Sequence, residues 1–361
     1  MAVFALSYDI MLGQTGILSF GHAACFGLGA YGVYWMTQAG YPFVFAVVVA
    51  MLLASLVNVA MGVSLLRIKG VYFAMFTLAF AEVIHLFLEK QVPITGGSTG
   101  VTAPRPPAVQ DPAITLLFVA LFAAAAVMIG YVMVSFYMMR GEHIKALIGL
   151  AAVLVIGTYG IYNFGTLVQV LMNGPRGAIW AFTINTYLLS VVILVLAYYL
   201  VSRLTKSRLG SVLIAVRENE ERTKMLGYNT SMYKMASLAI AGLLAGLAGA
   251  MFGSFVQFIL TPDLLGSSYT LDVLLYSILG GIGTLVGPIV GAFVIEFLHL
   301  NIGDIAQWIG IPSLSQWWML IIGAFYILIV LFVPYGIVGT LIGKSANVRR
   351  IFRRLLGREK R

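Results

Sequence analysis

The sequence predicts an all-α polytopic membrane protein of about nine or ten transmembrane spans, some of them broken at glycine, and three observations predict it. The 361 residues are 61% hydrophobic and only 10% charged, against a charged share of about a quarter in soluble domains. Apolar runs of about 20 residues, the length that crosses a hydrocarbon core of about 30 Å, recur along the chain. Glycine-dense stretches, LGGIGTLVGP (279–288) among them, interrupt those runs.

The runs cover 17–36, 42–66, 71–88, 113–137, 144–163, 181–202, 232–259, 269–299 and 316–333. The first opens within GQTGILSFGHAACFGLGAYG (13–32), which mixes glycines with Thr15, Ser19 and His22. The third carries Glu82 near mid-membrane, where a carboxylate is rare and usually faces the protein interior. His85, three residues on, shares its face. Two readings of Glu82 stand side by side: a polar lining of a pathway, or an internal hydrogen bond that fixes helix packing. The segment Gln91 to Pro112 is too polar to span and reads as a loop rich in glycine and proline, with Gly96, Gly97 and Ser98 at its start. Runs 113–137 and 144–163 are joined by the short loop RGEH and form an extra helical hairpin, whose two crossings leave both flanks on their original sides.

After run 181–202 comes the one long internal stretch suited to water, Ser207 to Lys234, within a loop of 203–234. Its apolar residues Leu209, Val212, Leu213 and Val216 fall at helical spacing, and it then turns polar through Arg217, Glu218, Asn219 and Glu220. Gly227 suits the end of a helix because it tolerates positive φ. One or two short helices projecting from the bilayer are expected, an ordered elbow suited to docking. In the next run, Gly242-x3-Gly246 and Gly249-x3-Gly253 are spacings that let membrane helices approach closely. Run 269–299 is long enough for two crossings broken near Gly287 and Pro288, and Gly281 and Gly283 lie in its glycine-dense centre. Interrupted helices at membrane depth are tolerated where they are buried in protein or line a cavity. The stretches 13–32 and 279–288 are therefore candidates for a substrate path, with tight helix crossing as the alternative.

The net charge of +9 is concentrated: seven of the 22 Lys and Arg lie between Arg203 and Lys234, and eight between Lys344 and Arg361. Placing the elbow and this basic tail (344–361) in the cytoplasm requires run 269–299 to cross twice. It leaves 19 basic residues inside and three outside, the expected bias. The tail also suits anionic membrane lipid. This distribution argues against a nucleic-acid partner.

Catalytic and cofactor signals are lacking. Cys25 is the one cysteine and lies in an apolar run, so no intrachain disulfide or thiolate metal site forms. His22, His85, His143 and His299 lack metal-pair spacing. Gly27, Gly29 and Gly32 match a dinucleotide fingerprint by letter only, with no preceding strand. Gly343-Lys344-Ser345 lacks the first glycine of a phosphate loop, the position being Val338. Nothing marks a cleaved signal peptide. The chain is not expected to be an enzyme or to bind a cofactor or metal itself.

Four blocks carry a specific resemblance: GQTGILSFGHAACFGLGAY (13–31), RIKGVYFAMFTLAFAEVIHLFL with TGGSTGV (67–101), SRLGSVLIAVRENEERTKMLGYN (207–229) and LLYSILGGIGTLVGPIVGA (274–292). AGLLAGLAGA (241–250) and PYGIVG (334–339) support them. The chain resembles the permeases of branched-chain amino acid ABC importers, in particular their LivM-type subunits. The resemblance implies one transmembrane permease domain over 1–361 in the bacterial inner membrane, with a cytoplasmic C-terminus. It also implies a second, LivH-type permease subunit, two cytoplasmic ATPase subunits that hold ATP and Mg, and an external substrate-binding protein. Arg217, Glu218, Asn219, Glu220, Leu226 and Gly227 match the family pattern of the segment seated on the ATPase, whereas Arg222 and Thr223 replace small residues. The translocation path would draw on Thr15, Ser19, His22, Glu82, Gly96, Gly97, Ser98, Gly281 and Gly283. The family generally has a membrane helix ahead of the Thr15-Gly16 motif, which this chain reaches after fourteen residues. Either that helix is lost or the start is internal to a longer product. Cargo remains open between branched-chain or related amino acids and urea, amides or small acids. An ion-coupled secondary transporter is the rival mechanism, and a membrane-embedded enzyme is disfavoured because no catalytic set converges.

Overall fold

The computed structural model describes residues 1–63, 68, 70–102, 175–256, 258–259, 264–308, 323, 326–327 and 336–340. The expected hairpin 113–163, most of the run 316–333, the basic tail 344–361, and Arg67 with Lys69 lie outside the described residues. The chain divides into two units, residues 1–104 with 194–361, and residues 105–193. In the second unit the described residues begin helix α6 (Pro175–Thr205). Everything below concerns the first unit.

The first unit is helical. Helix α1 (Ala2–Asp9) runs into a π-helical turn, Ile10–Gln14. Then come α2 (His22–Gln38), α3 (Phe43–Val63), α4 (Val71–Lys90) and the single turn α5 (Val92–Thr95). After α6 follow α7 (Arg208–Glu218), α8 (Glu220–Met225), α9 (Thr230–Val256), α10 (Ser267–Gly280) and α11 (Val286–Trp308). Two two-residue strands, Val101–Thr102 and Phe258–Ile259, pair antiparallel with Val101 opposite Ile259. Among the described residues, four helical segments are long and apolar enough to cross a membrane: Phe43–Val63, Val71–Lys90, Asn185–Thr205 and Thr230–Ser254.

Helix α9 is the axis of the packing. Its span is 61% buried, against 28% for α3 and for α4, and it packs on α3, α2 and α1. Small residues make this possible, because lipid tails give apolar helices no hydrophobic reason to associate and close backbone contact must supply the attraction. At Gly249 a side chain would run into the Phe26 carbonyl of α2. Polar bonds fix the register: Asn58 Nδ2 donates to Leu238 O at 2.8 Å, and Ser55 Oγ donates to Ala239 O at 2.9 Å.

The boundaries differ from the hydropathy reading in four places. Residues 2–14, ahead of the first counted run, are helical, and Phe4, Leu6, Tyr8 and Asp9 among them are buried. The following helix starts at His22 rather than near 17, because residues 15–21 form a non-helical crossover. In the run 269–299 the interruption falls at Gly281–Leu285, not at Gly287 and Pro288. Pro288 instead occupies the first turn of α11, where a missing N–H costs no helical bond. The elbow is shorter than 203–234, since α6 extends to Thr205 and α9 begins at Thr230. Helix α10 has 14 residues, so it rises about 21 Å, less than a core of about 30 Å.

Candidate functional site

The elbow is built by capping. Ser207 Oγ accepts from Gly210 N at the start of α7, and Asn219 Oδ1 accepts from Arg222 N at 2.9 Å at the start of α8. Asn219 is extended, at φ −158°, so it ends α7 and starts α8 in one residue. Acidic Glu220 and Glu221 sit in the first turn of α8 and basic Arg222 and Lys224 in its last, each complementing the helix dipole. Gly227, at φ +87°, closes α8: its N–H bonds to Lys224 O, and the Tyr228 N–H bonds to Thr223 O. That double closure is the glycine-terminated helix end expected from the sequence. Thr223, in a position usually held by a small residue in the resembled family, is buried with its hydroxyl bonded to Asn219 O.

The six elbow residues singled out by the sequence divide in two. Glu218, Leu226 and Gly227 are exposed, and Leu226 lies beside Met225 and Tyr228, whose side chains are exposed as well. Arg217 and Asn219 are exposed as well and Glu220 is half-buried, but these three also bond within the chain. Glu220 binds Lys234 Nζ at 2.8 Å and Lys224 Nζ at 3.1 Å, and accepts from Thr230 Oγ1 at 3.2 Å. Partial burial pushes its carboxyl upward, but the hydrogen bonds and charges of Lys234 and Lys224 outweigh that and hold it at about 2.

Arg217 points the other way. The buried residues Val212, Leu213 and Val216 seat α7 on the bundle, and Arg217 Nη1 then donates to Gly13 O at the end of the π-helical turn. Gly13 lies against the second helix interruption. Asp9 Oδ1 accepts from Gly283 N at 2.7 Å, and Gln14 Nε2 donates to Gly283 O at 3.4 Å. Gly283 has φ +79°, and a side chain there would begin 3.0 Å from Arg217 Nη1. The positive φ favours glycine. Gly281, at φ +117°, is buried beside Gly336, whose backbone packs against Gly280 and Gly281.

The first interruption divides into a lined part and a buried part. Residues Thr15 to Leu18 border a cavity of about 430 Å³, with Gly70, Val216, Arg217, Glu220 and Lys234 among its other walls. Thr15 Oγ1 bonds to Ile10 O at 3.1 Å and to Ser237 Oγ at 2.6 Å, tying the crossover to α9. Ser19 and His22 are buried in the bundle. Ser19 O accepts from Tyr8 OH at 3.0 Å, and His22 Nε2 meets Ser7 Oγ at 2.9 Å while its ring stacks on Phe4. The backbone freed by the interruption is satisfied by neighbours, as burial demands. Phe20 N donates to Thr77 Oγ1 of α4 at 3.1 Å, and Ala23 N donates to Thr270 Oγ1 of α10 at 2.9 Å.

Glu82, Gly96, Gly97 and Ser98 lie apart from this junction. The Glu82 side chain is 46% exposed, and its bond, at 3.3 Å, is to His85 on its own helix. Gly96 and Gly97 have φ of +73° and +58°, and Ser98 is exposed. Their loop is anchored to the end of α2 by Trp35 Nε1, which donates to Ile94 O at 3.1 Å, and by Tyr31 OH, which donates to Thr95 O at 3.4 Å. The structure thus brings together the elbow and both helix interruptions, and joins them through Asp9, a residue the sequence reading missed. Asp9 precedes every counted apolar run, so its burial gave no local signal. No set of three or more His, Cys, Asp or Glu side chains is placed to hold a metal among the described residues.

Comparison with known proteins matches the chain to one family profile and to curated transport permeases, among them the following. A family profile described as "Branched-chain amino acid transport system / permease component" matches residues 1–331. The high-affinity branched-chain amino acid transport system permease protein LivM of Escherichia coli (strain K12) is 24% identical over 337 residues, covering 93% of this chain and 67% of that one. LivM of Salmonella typhimurium is 22% identical over the same lengths. The autoinducer 2 import system permease protein LsrC of Photorhabdus luminescens is 30% identical over 151 residues, 40% of this chain and 42% of that one. No solved structure matches the chain significantly.

Proposed function

We propose, from the premise that this chain belongs to the branched-chain amino acid transport system permease family, that it is the transmembrane subunit of an ATP-driven importer for branched-chain or related amino acids. It sits in the bacterial inner membrane with nine or ten spans and its C-terminus in the cytoplasm. A second permease of LivH type completes the passage, an external binding protein delivers substrate, and two cytoplasmic ATPases hold ATP and Mg. The observation that carries this reading is the elbow: two capped helices between membrane spans, bonded at Arg217 to the interrupted helices and exposing Met225, Leu226 and Tyr228. Exposed apolar side chains on a polar projection mark a protein contact. Two rigid units that rock against each other need such a lever when the chain has no nucleotide site of its own. The cavity beside Thr15 and Gly16 then belongs to the inner end of the path.

The test is purification from native membranes in mild detergent, with partners identified by mass, for the unaltered chain and for Leu226→Asp. A second permease and an ATPase are expected with the unaltered chain, and loss of the ATPase alone with Leu226→Asp. An unaltered chain that is recovered alone and transports substrate by itself would overturn the reading in favour of a secondary carrier.

A further inference from the structure

We infer that Arg217 is a positioning residue that ties the elbow to the two helix interruptions, rather than a contact to the ATPase, and that Asp9 is the second half of the same tie. The inference rests on the proposed role in ATP-driven import. Three observations place it. Arg217 Nη1 donates to Gly13 O. The same guanidinium nitrogen lies against Gly283, so that any side chain at Gly283 would meet it at 3.0 Å. Asp9 accepts from Gly283 N at 2.7 Å, with the Arg217 charge within Coulombic range of its carboxylate.

The consequence is mechanical. Gly13 O is a carbonyl at the end of a helical turn, and Gly283 N is an amide in a segment with no helical partner. Each is a backbone group without a helical partner, which packing obliges the protein to satisfy. Arg217 and Asp9 satisfy them, and in doing so make the end of α7, the turn Ile10–Gln14 and the interruption Gly281–Leu285 one bonded unit. The stem of Arg217 also packs on the crossover, since a side chain at Gly16 would begin 3.1 Å from Arg217 Cγ. A displacement of the elbow is therefore delivered to the two interruptions rather than absorbed at the joint. With Arg217 cut back, α8 keeps its own caps and its exposed face, so docking survives while transmission fails.

The experiment uses the whole complex in lipid, with Arg217→Ala, Arg217→Lys and Asp9→Asn. Three quantities are read: ATPase retained on purification, ATP hydrolysed, and substrate moved per ATP. Arg217→Ala is expected to retain the ATPase and hydrolyse ATP but to lower substrate moved per ATP by roughly tenfold, the scale of a lost charge-assisted hydrogen bond. Arg217→Lys, which keeps a charged donor, should recover part of that loss, and Asp9→Asn should lower the same ratio. Loss of the ATPase from Arg217→Ala while the unaltered complex retains it would make Arg217 a docking residue and overturn the inference. An unchanged ratio in Arg217→Ala would overturn it too. If the unaltered chain captures no ATPase, the importer reading itself fails.

Arg217→Gln gives a second measurement should the alanine variant fold poorly, since it keeps the stem that packs against Gly16 and removes the charge. It is expected to retain the ATPase and to lower substrate moved per ATP, and an unchanged ratio would overturn the inference.

Discussion

Glu220 and Lys234 are joined at 2.8 Å, and this pair fastens α8 to the first turns of α9. They lie fourteen positions apart, so the bond closes the whole connection between the elbow and the central helix. Glu220 is thereby committed to holding the elbow in shape. Its place in the family pattern follows from that internal duty as readily as from any partner.

The pair predicts a pH response. The Glu220 carboxyl sits at about 2, below its ordinary 4.5, so its contribution is fully present above about pH 4.5 and is lost as pH falls through about 2. Amide exchange across 219–230, normalised to the intrinsic rate at each pH, should rise in the natural chain only in that acid window. Glu220→Gln should show the raised exchange already at neutral pH. Protection indifferent to acid would contradict the assignment.

Thr270→Val keeps the shape of the side chain but removes the acceptor for Ala23 N at the start of α2. A buried donor left unpaired costs about 1–3 kcal/mol. The melting temperature in detergent should fall accordingly, while Thr270→Ser, which retains the hydroxyl, should lose less. Equal losses in the two variants would point to packing rather than capping.

Gly249→Val places branched carbons against the Phe26 carbonyl. Overpacking of this kind costs about 1–3 kcal/mol and forces α9 away from α2. By contrast, Asn58→Leu removes one interhelical bond, worth about 0.6 kcal/mol on average in membranes. The order of melting temperatures is expected to be Asn58→Leu above Gly249→Val, and the reverse order would refute the primacy of backbone approach here.

Glu82→Gln should leave transport within about twofold, because a polar side-chain pair three residues apart on one helix is worth only about 0.2–0.5 kcal/mol. Uptake of labelled amino acid into vesicles measures it. A loss of ion dependence or of all transport would restore Glu82 to a direct part in the path and favour a carrier mechanism.

Much of the architecture is legible in residues near one another. Period and length mark α3, α4 and α9. The change from apolar to charged letters marks the elbow, and Gly227 its end. The interruption in 269–299 is foreseen in kind but placed at Pro288, because proline looks like a breaker until its position in the first turn of α11 is known. His22 shows the opposite failure. Its letter suggests chemistry, yet it is packed against Phe4 and Tyr8 within the bundle.

The sequence alone determines that this chain is a helical membrane protein with a polar, helix-forming stretch at Ser207–Lys234 and glycine-rich interruptions, since hydropathy, helical period and capping are properties of neighbouring residues. Only the tertiary structure decides which groups those interruptions bond to. Arg217 reaches a carbonyl 204 positions away, and Asp9 reaches an amide 274 positions away. Those distances carry no periodic trace, because a buried backbone group requires a partner of the right chemistry, and the fold alone fixes which residue arrives there.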